Sequence, residues 1–127
     1  MNVKHKHLIV RAEVSDTPTK KDLHKVLEWM ENLIKKIDMR LMHGPSISYI
    51  DQKGNRGITC MALIETSHIV LHIWDENNPG LFQLDIYSCK DINTNTVLNF
   101  FKDSFAVVKL EYKFLDREND LTLVDEN

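Results

Sequence analysis

Between Glu65 and Glu76 the chain reads Glu-Thr-Ser-His-Ile-Val-Leu-His-Ile-Trp-Asp-Glu. Hydroxyl, imidazole and carboxylate groups crowd a run that is otherwise apolar. Ser67 beside His68 sets a hydroxyl nucleophile next to a base. His68 and His72 fall on one face of a strand, and a His-x-x-x-His pair can ligate zinc. No third or fourth ligand stands at a matching spacing, and no Gly-x-Ser-x-Gly turn presents Ser67 as a hydrolase nucleophile. The two histidines read equally well as hydrogen-bonded residues of a sheet. The two cysteines, Cys60 and Cys89, form no Cys-x-x-Cys pair and read as free thiols. Cys60 lies in an apolar run and reads as a small core side chain.

The elements that must carry these groups follow from periodicity. His7 to Val14 is rich in branched residues and reads as a strand. Leu23, Val26, Leu27, Met30, Leu33, Ile34 and Ile37 recur at helical spacing, with Trp29 at the core margin. Thr19 and Asp22 make a capping box before them. His43-Gly44-Pro45 interrupts the chain, and Ser46 to Ile50 forms a second strand. Gly57 to Ile64 is nearly all apolar and reads as a buried strand. His68 to Trp74 and Leu81 to Ser88 are two more, divided by the turn-forming run Asp75 to Gly80. Asn93 or Asn95 caps a short helix carrying Val97, Leu98, Phe101 and Phe105. Val108, Leu110, Tyr112 and Phe114 alternate with polar residues in a last strand that has one wet face. The acidic stretch from about 116 onward reads as a mobile tail.

The order β-α-β-β-β-β-α-β, with short turns between consecutive strands, predicts an α+β two-layer sandwich: a mainly antiparallel sheet with two helices on one face. The other face must be wet or must meet a partner. The 127 residues suit a single domain. An apolar share of 43% and a charged share of 28% are those of an ordinary globular protein. A net charge of −3 favours neither nucleic acid nor an anionic membrane as partner. No apolar run is long enough to span a bilayer, and no secretory signal opens the chain. A cytoplasmic location is the default expectation.

Three motifs share one register with a known family. Ser67-His68-Ile69-Val70-Leu71-His72-Ile73-Trp74-Asp75-Glu76 resembles the signature of the small bacterial and archaeal S-adenosylmethionine decarboxylases, in which Glu-Ser-His precedes His-Thr-Trp-Pro-Glu at this spacing. Asp85-Ile86-Tyr87-Ser88-Cys89 resembles the family's Asp-Val-Phe-Thr-Cys, and His7-Leu8-Ile9-Val10 its first strand. The resemblance runs from His7 to about Phe105. It implies a chain that cuts itself between Thr66 and Ser67 and converts Ser67 into a pyruvoyl group. That carbonyl would form a Schiff base with the amine of S-adenosylmethionine and serve as electron sink for decarboxylation, supplying polyamine (spermidine) biosynthesis. By the same resemblance His72 assists processing, with Thr59 at the place of a second processing serine. Cys89 returns a proton to the product, and a thiol titrates in a suitable range for this. Glu76 binds the ribose hydroxyls, and Tyr49 is the candidate to stack on adenine.

The sequence departs from that pattern at four places. Thr66 stands where a glutamate is usual, with Glu65 one place earlier, and its branched side chain crowds the carbonyl that Ser67 must attack. Thr59 keeps only the hydroxyl of the usual serine. Asp75 replaces a proline, and the span from Ser67 to Cys89 is about two residues longer than the family pattern. Two further readings follow: an unprocessed homologue that binds a nucleoside ligand or a partner, and a drifted pyruvoyl decarboxylase of arginine or ornithine. The latter substrates have no ribose for Glu76. The resemblance also implies a homodimer with shared sites, Ser67 and Cys89 from one protomer facing Thr59 and His72 from the other. Strand geometry agrees, since five residues of extended chain separate Ser67 from His72 by roughly 16 Å and put them on opposite faces.

Overall fold

Leu8, Val10, Ala12 and Val14 point to one side of the first strand and are fully buried, while Ile9 and Arg11 point to the other. This alternation sets the architecture of the computed structural model, which describes residues 4–127. The elements are β1 (Lys6–Ser15), α1 (Leu23–Lys36), β2 (Leu41–Ile50), β3 (Gly57–Ile64), β4 (Ser67–Trp74), β5 (Gly80–Ser88), α2 (Thr94–Ser104), β6 (Ala106–Asp116) and β7 (Thr122–Glu126). The strands form one antiparallel sheet in the order β2-β3-β4-β5-β1-β6-β7. The chain thus places its first strand near the middle, between β5 and β6. Both helices cover the same face. The fold is the expected α+β two-layer sandwich.

Helix α1 is preceded by a 3-10 turn at Lys20–Asp22, where the Thr19 N–H donates to the Asp22 carboxylate at 2.9 Å, one half of the expected capping box. Its inner stripe is Val26, Trp29, Met30, Leu33 and Ile34, all buried. Each such side chain favours the folded state by about 1.5–3 kcal/mol relative to exposure. Asn93, not Asn95, caps α2 by accepting from the Thr96 N–H at 3.1 Å. Trp29 stacks on Phe100 at 5.7 Å between ring centroids, and Phe82 meets Phe105 at 5.0 Å, so one aromatic cluster joins both helices to β5.

Four local expectations need correction. β2 begins at Leu41, ahead of Pro45; the Gly44-Pro45 interruption lies inside an edge strand, where register shifts absorb a residue that has no N–H to donate. β3 is buried on one face only: Met61 and Leu63 are 42% and 45% exposed, because among the described residues the sheet face away from the helices carries no second layer. In β6 a bulge opposite Glu13/Val14 makes Val108 the extra residue, so Val107 turns inward and Val108 is 64% exposed. The stretch read as a mobile tail contains β7, which pairs with β6 and is tied there by Lys113–Glu126 at 3.4 Å.

Candidate active site

Strands β3 and β4 form a hairpin closed by Ile64 opposite Ser67, with Glu65 and Thr66 as the turn. A two-residue turn needs left-handed backbone to match strand twist. Thr66 supplies it at φ 51°, a costly conformation for a β-branched residue. The predicted scissile peptide, Thr66-Ser67, therefore follows directly on a strained residue. Ser67 begins β4 on the helix-covered face and is 8% exposed. Its hydroxyl accepts from the N–H of Cys89 at 2.8 Å.

Cys89 stands just past the end of β5 and brings its thiol to the same turn. Its Sγ accepts from the Thr66 hydroxyl at 2.7 Å and donates to the Glu65 carbonyl at 3.2 Å. Hydrogen bonds from Ser67, then Thr66, hold this thiol below its ordinary range. Cys60 is the opposite case: fully buried among apolar neighbours, its thiol is pushed up to about 12. Ser67, Thr66 and Cys89 are thus brought together within one chain.

The remaining predicted residues gather near the other end of the hairpin. Thr59 and His72 are direct cross-strand partners, and Thr59 Oγ1 lies 2.9 Å from His72 Nδ1. His72 is on the uncovered face and Ser67 on the covered one. Tyr49 donates to Asp75 at 2.8 Å; burial and that bond push its phenol up to about 12. Glu76 accepts from the Arg56 N–H at 2.8 Å and the Gly54 N–H at 3.0 Å, which holds its carboxyl below the usual range. It lines an open cleft of about 990 Å³ together with Asp75, Trp29 and Phe105. From Ser67 to Glu76 is roughly 30 Å along β4. Within one chain the two groups do not meet.

Beside Ser67, on the uncovered face, is a cluster the sequence reading did not assemble. One oxygen of Asp85 receives both His7 Nε2 at 2.8 Å and His68 Nε2 at 3.2 Å. Burial alone would raise the Asp85 carboxyl, but bonding to His7 and His68 outweighs it and the net shift is downward. Tyr87 binds His5 at 2.6 Å and lies under the Arg117 guanidinium. His7 and Asp85 are far apart in sequence, and the signal that joins them is the placement of β1 against β5. The candidate zinc pair is divided between partners, His68 on Asp85 and His72 on Thr59. Among the described residues no group of three His, Cys, Asp or Glu side chains is arranged to hold a metal.

Residues 6–118 match the sequence model of the S-adenosylmethionine decarboxylase family. The chain belongs to that family. A curated relative, an S-adenosylmethionine decarboxylase proenzyme from Pyrobaculum arsenaticum, is 31% identical over 64 residues, which is 50% of this chain and 50% of the relative. The match thus spans half the length of that curated relative. Among solved structures, an adenosylmethionine decarboxylase from Aquifex aeolicus superposes with a TM-score of 0.65 at 18% identity, covering 98% of each chain. That likeness shows the fold, and the family match covers all seven predicted site residues, which lie between Tyr49 and Cys89. Among the described residues, no helix is long and apolar enough to cross a membrane.

Proposed function

We propose that this chain is a self-processing, pyruvoyl-dependent decarboxylase of S-adenosylmethionine, cleaved between Thr66 and Ser67 and active as a homodimer. The observation that carries the reading is the hairpin end: a strained residue precedes the bond to be broken, and the hydroxyl after it is held beside a thiol. The residues fit the group, because it is Ser67 itself transformed in place. Once formed, its carbonyl supplies the electron sink for loss of carbon dioxide.

The chain's own residues then divide the work. Cys89, with its thiol at the turn, returns the proton to the product carbon. Glu76 keeps lone pairs beyond those taken by Gly54 and Arg56, so it can still accept from a vicinal diol. Tyr49 brings an aromatic ring to the Glu76 end. Thr59 orients His72 through its hydroxyl. The separation of the two groups supports a shared site: a two-fold pair would set the Thr59–His72–Glu76 end of one protomer against the Ser67–Cys89 end of its partner. Ile9, Met61 and Leu63, all exposed on the uncovered face, supply apolar surface for such a pair.

A second reading has specific support in the low exposure of Ser67 and the branched Thr66: an unprocessed homologue that binds without catalysis. Mass analysis under denaturing conditions separates the two. Processing gives Met1–Thr66 and a pyruvoyl-capped fragment ending at Asn127, and Ser67→Ala stays whole. A wild-type chain that remains intact after long incubation overturns the enzymatic reading.

A further inference from the structure

The Thr66 hydroxyl does not face away from the turn. It lies 2.8 Å from the Glu65 carbonyl and 2.7 Å from Cys89 Sγ, while the N–H of Cys89 holds the Ser67 hydroxyl at 2.8 Å. The sulfur therefore sits against the residue whose carbonyl is released when the chain is cut. That cut changes the chemistry of Thr66. Ser67 Oγ bonds to the Thr66 carbonyl carbon as the peptide C–N bond breaks, giving an ester. Loss of the Ser67 Cα proton then expels Thr66 as a carboxylate. Water converts the resulting dehydroalanine to the pyruvoyl group with release of ammonia, and no oxidant is required. A neutral peptide next to Cys89 has become an anion.

We propose that Thr66 is a positioning residue that couples cleavage of the chain to the protonation of Cys89: its hydroxyl favours the thiolate while the chain is whole, and its new carboxylate favours the thiol once the chain is cut. The inference rests on the processing reading above. A thiolate beside Ser67 suits accepting a proton during processing, and a thiol suits returning one to product. One sulfur thus acts in sequence, in the order the chemistry requires.

Cleavage also consumes the Ser67 hydroxyl, whose hydrogen bond lowers the thiol in the whole chain, and this loss acts in the same direction as the new Thr66 carboxylate; the remaining groups around Cys89 do not change. The Glu65 carboxylate opposes the thiolate in the whole chain. Lys4 is paired with Asp91 at 3.6 Å, and Lys90 is the next residue in the chain. Hydrogen bonds from Ser67 and Thr66 lower the thiol in the whole chain. A like charge within about 4–6 Å raises a thiol by roughly a unit or more. The Glu65 N–H, bonded to the Arg40 carbonyl at 2.9 Å, anchors the cut end near the sulfur.

The test is the pH dependence of Cys89 alkylation by iodoacetamide, located by mass. Cys60, fully buried, stays out of the titration. Three proteins are compared: processed wild type, chain kept whole by His72→Ala, and the same whole chain carrying Thr66→Val. If His72→Ala still cleaves, Ser67→Ala supplies the whole form and is compared only with Ser67→Ala carrying Thr66→Val, because loss of the Ser67 hydroxyl by itself raises the thiol. The midpoint should lie about one pH unit lower in whole chain than in processed chain. Thr66→Val should raise the whole-chain midpoint, and Thr66→Ser should restore it. Equal midpoints in cut and whole chain, or no response to Thr66→Val, overturn the coupling and leave the processing reading standing. A wild-type chain that never cleaves overturns both.

Discussion

Glu76 is held by the peptide N–H groups of Gly54 and Arg56, so its carboxylate fastens the β2–β3 loop as well as offering lone pairs to a ligand. Glu76→Ala should raise KM for S-adenosylmethionine roughly 10- to 200-fold, the range for losing a hydrogen bond to a charged group. Hydrogen exchange at the Gly54 and Arg56 amides should quicken in the same variant. Unchanged KM with quickened exchange would leave the residue a loop fastener alone. The pH dependence has a definite sign. The carboxyl is lowered in the folded chain, so the loop contact is complete above the ordinary carboxylate range and is lost as pH falls through the depressed value. Gly54 and Arg56 protection should therefore fail at acid pH before the sheet does. Glu76, Ser67 and Cys89 could be named as candidates from the sequence because each lies within a short motif. The two imidazoles on Asp85 were not, since His7 and Asp85 are joined only by the pairing of strands distant in sequence. The spacing of Ser67 and His72 correctly indicated opposite faces, because side-chain alternation needs no tertiary information.

At Gly57 the backbones of β3 and β4 approach closely. A Cβ there would press into the Ile73 carbonyl oxygen of the neighbouring strand, two residues from Thr59. Gly57→Ala should cost about 1–3 kcal/mol, the range for overpacking, read as a lower urea midpoint. It should also slow cleavage in protein that remains folded, by moving Thr59 away from His72. Normal cleavage in a destabilised Gly57→Ala protein would remove the Thr59–His72 contact from the processing machinery. Most elements were legible from period alone: the stripe from Leu23 to Ile37 could only be an amphipathic helix, and its capping residues marked its start. The Val108 bulge was not. A perfect alternation of Val108, Leu110, Tyr112 and Phe114 looked continuous, but the inserted residue depends on the partner strand β1, which the local pattern does not contain. β3 misled for a related reason. Met61 and Leu63 made its sequence look buried on both faces, although among the described residues nothing covers them.

At the scale of the whole molecule, one sheet face is sealed by helices and the other carries His7, Asp85, His68, His72 and Trp74 among exposed apolar side chains. Co-expression of Ser67→Ala with His72→Ala chains tests whether two such faces build the site together. Each mixed dimer has one site that keeps both wild-type residues if the site is shared, and none if it is not. Mixed dimers should therefore cleave their intact Ser67 even though each mutant alone does not. If mixed dimers form and no cleavage is seen where both parents fail, a site within one protomer is the better description. The sheet's rims differ in their bearing on such assembly. At β2, Pro45 offers no N–H and the register shifts twice between Leu41 and Ser46, so a further strand would find a broken row of partners. At β7 the outermost strand ends in Asp125 and Glu126, whose like charges would meet in an added copy. These rims discourage strand-by-strand growth into fibres. The homodimer proposed above would then form through the face, where pairing closes on itself and stops at a finite particle.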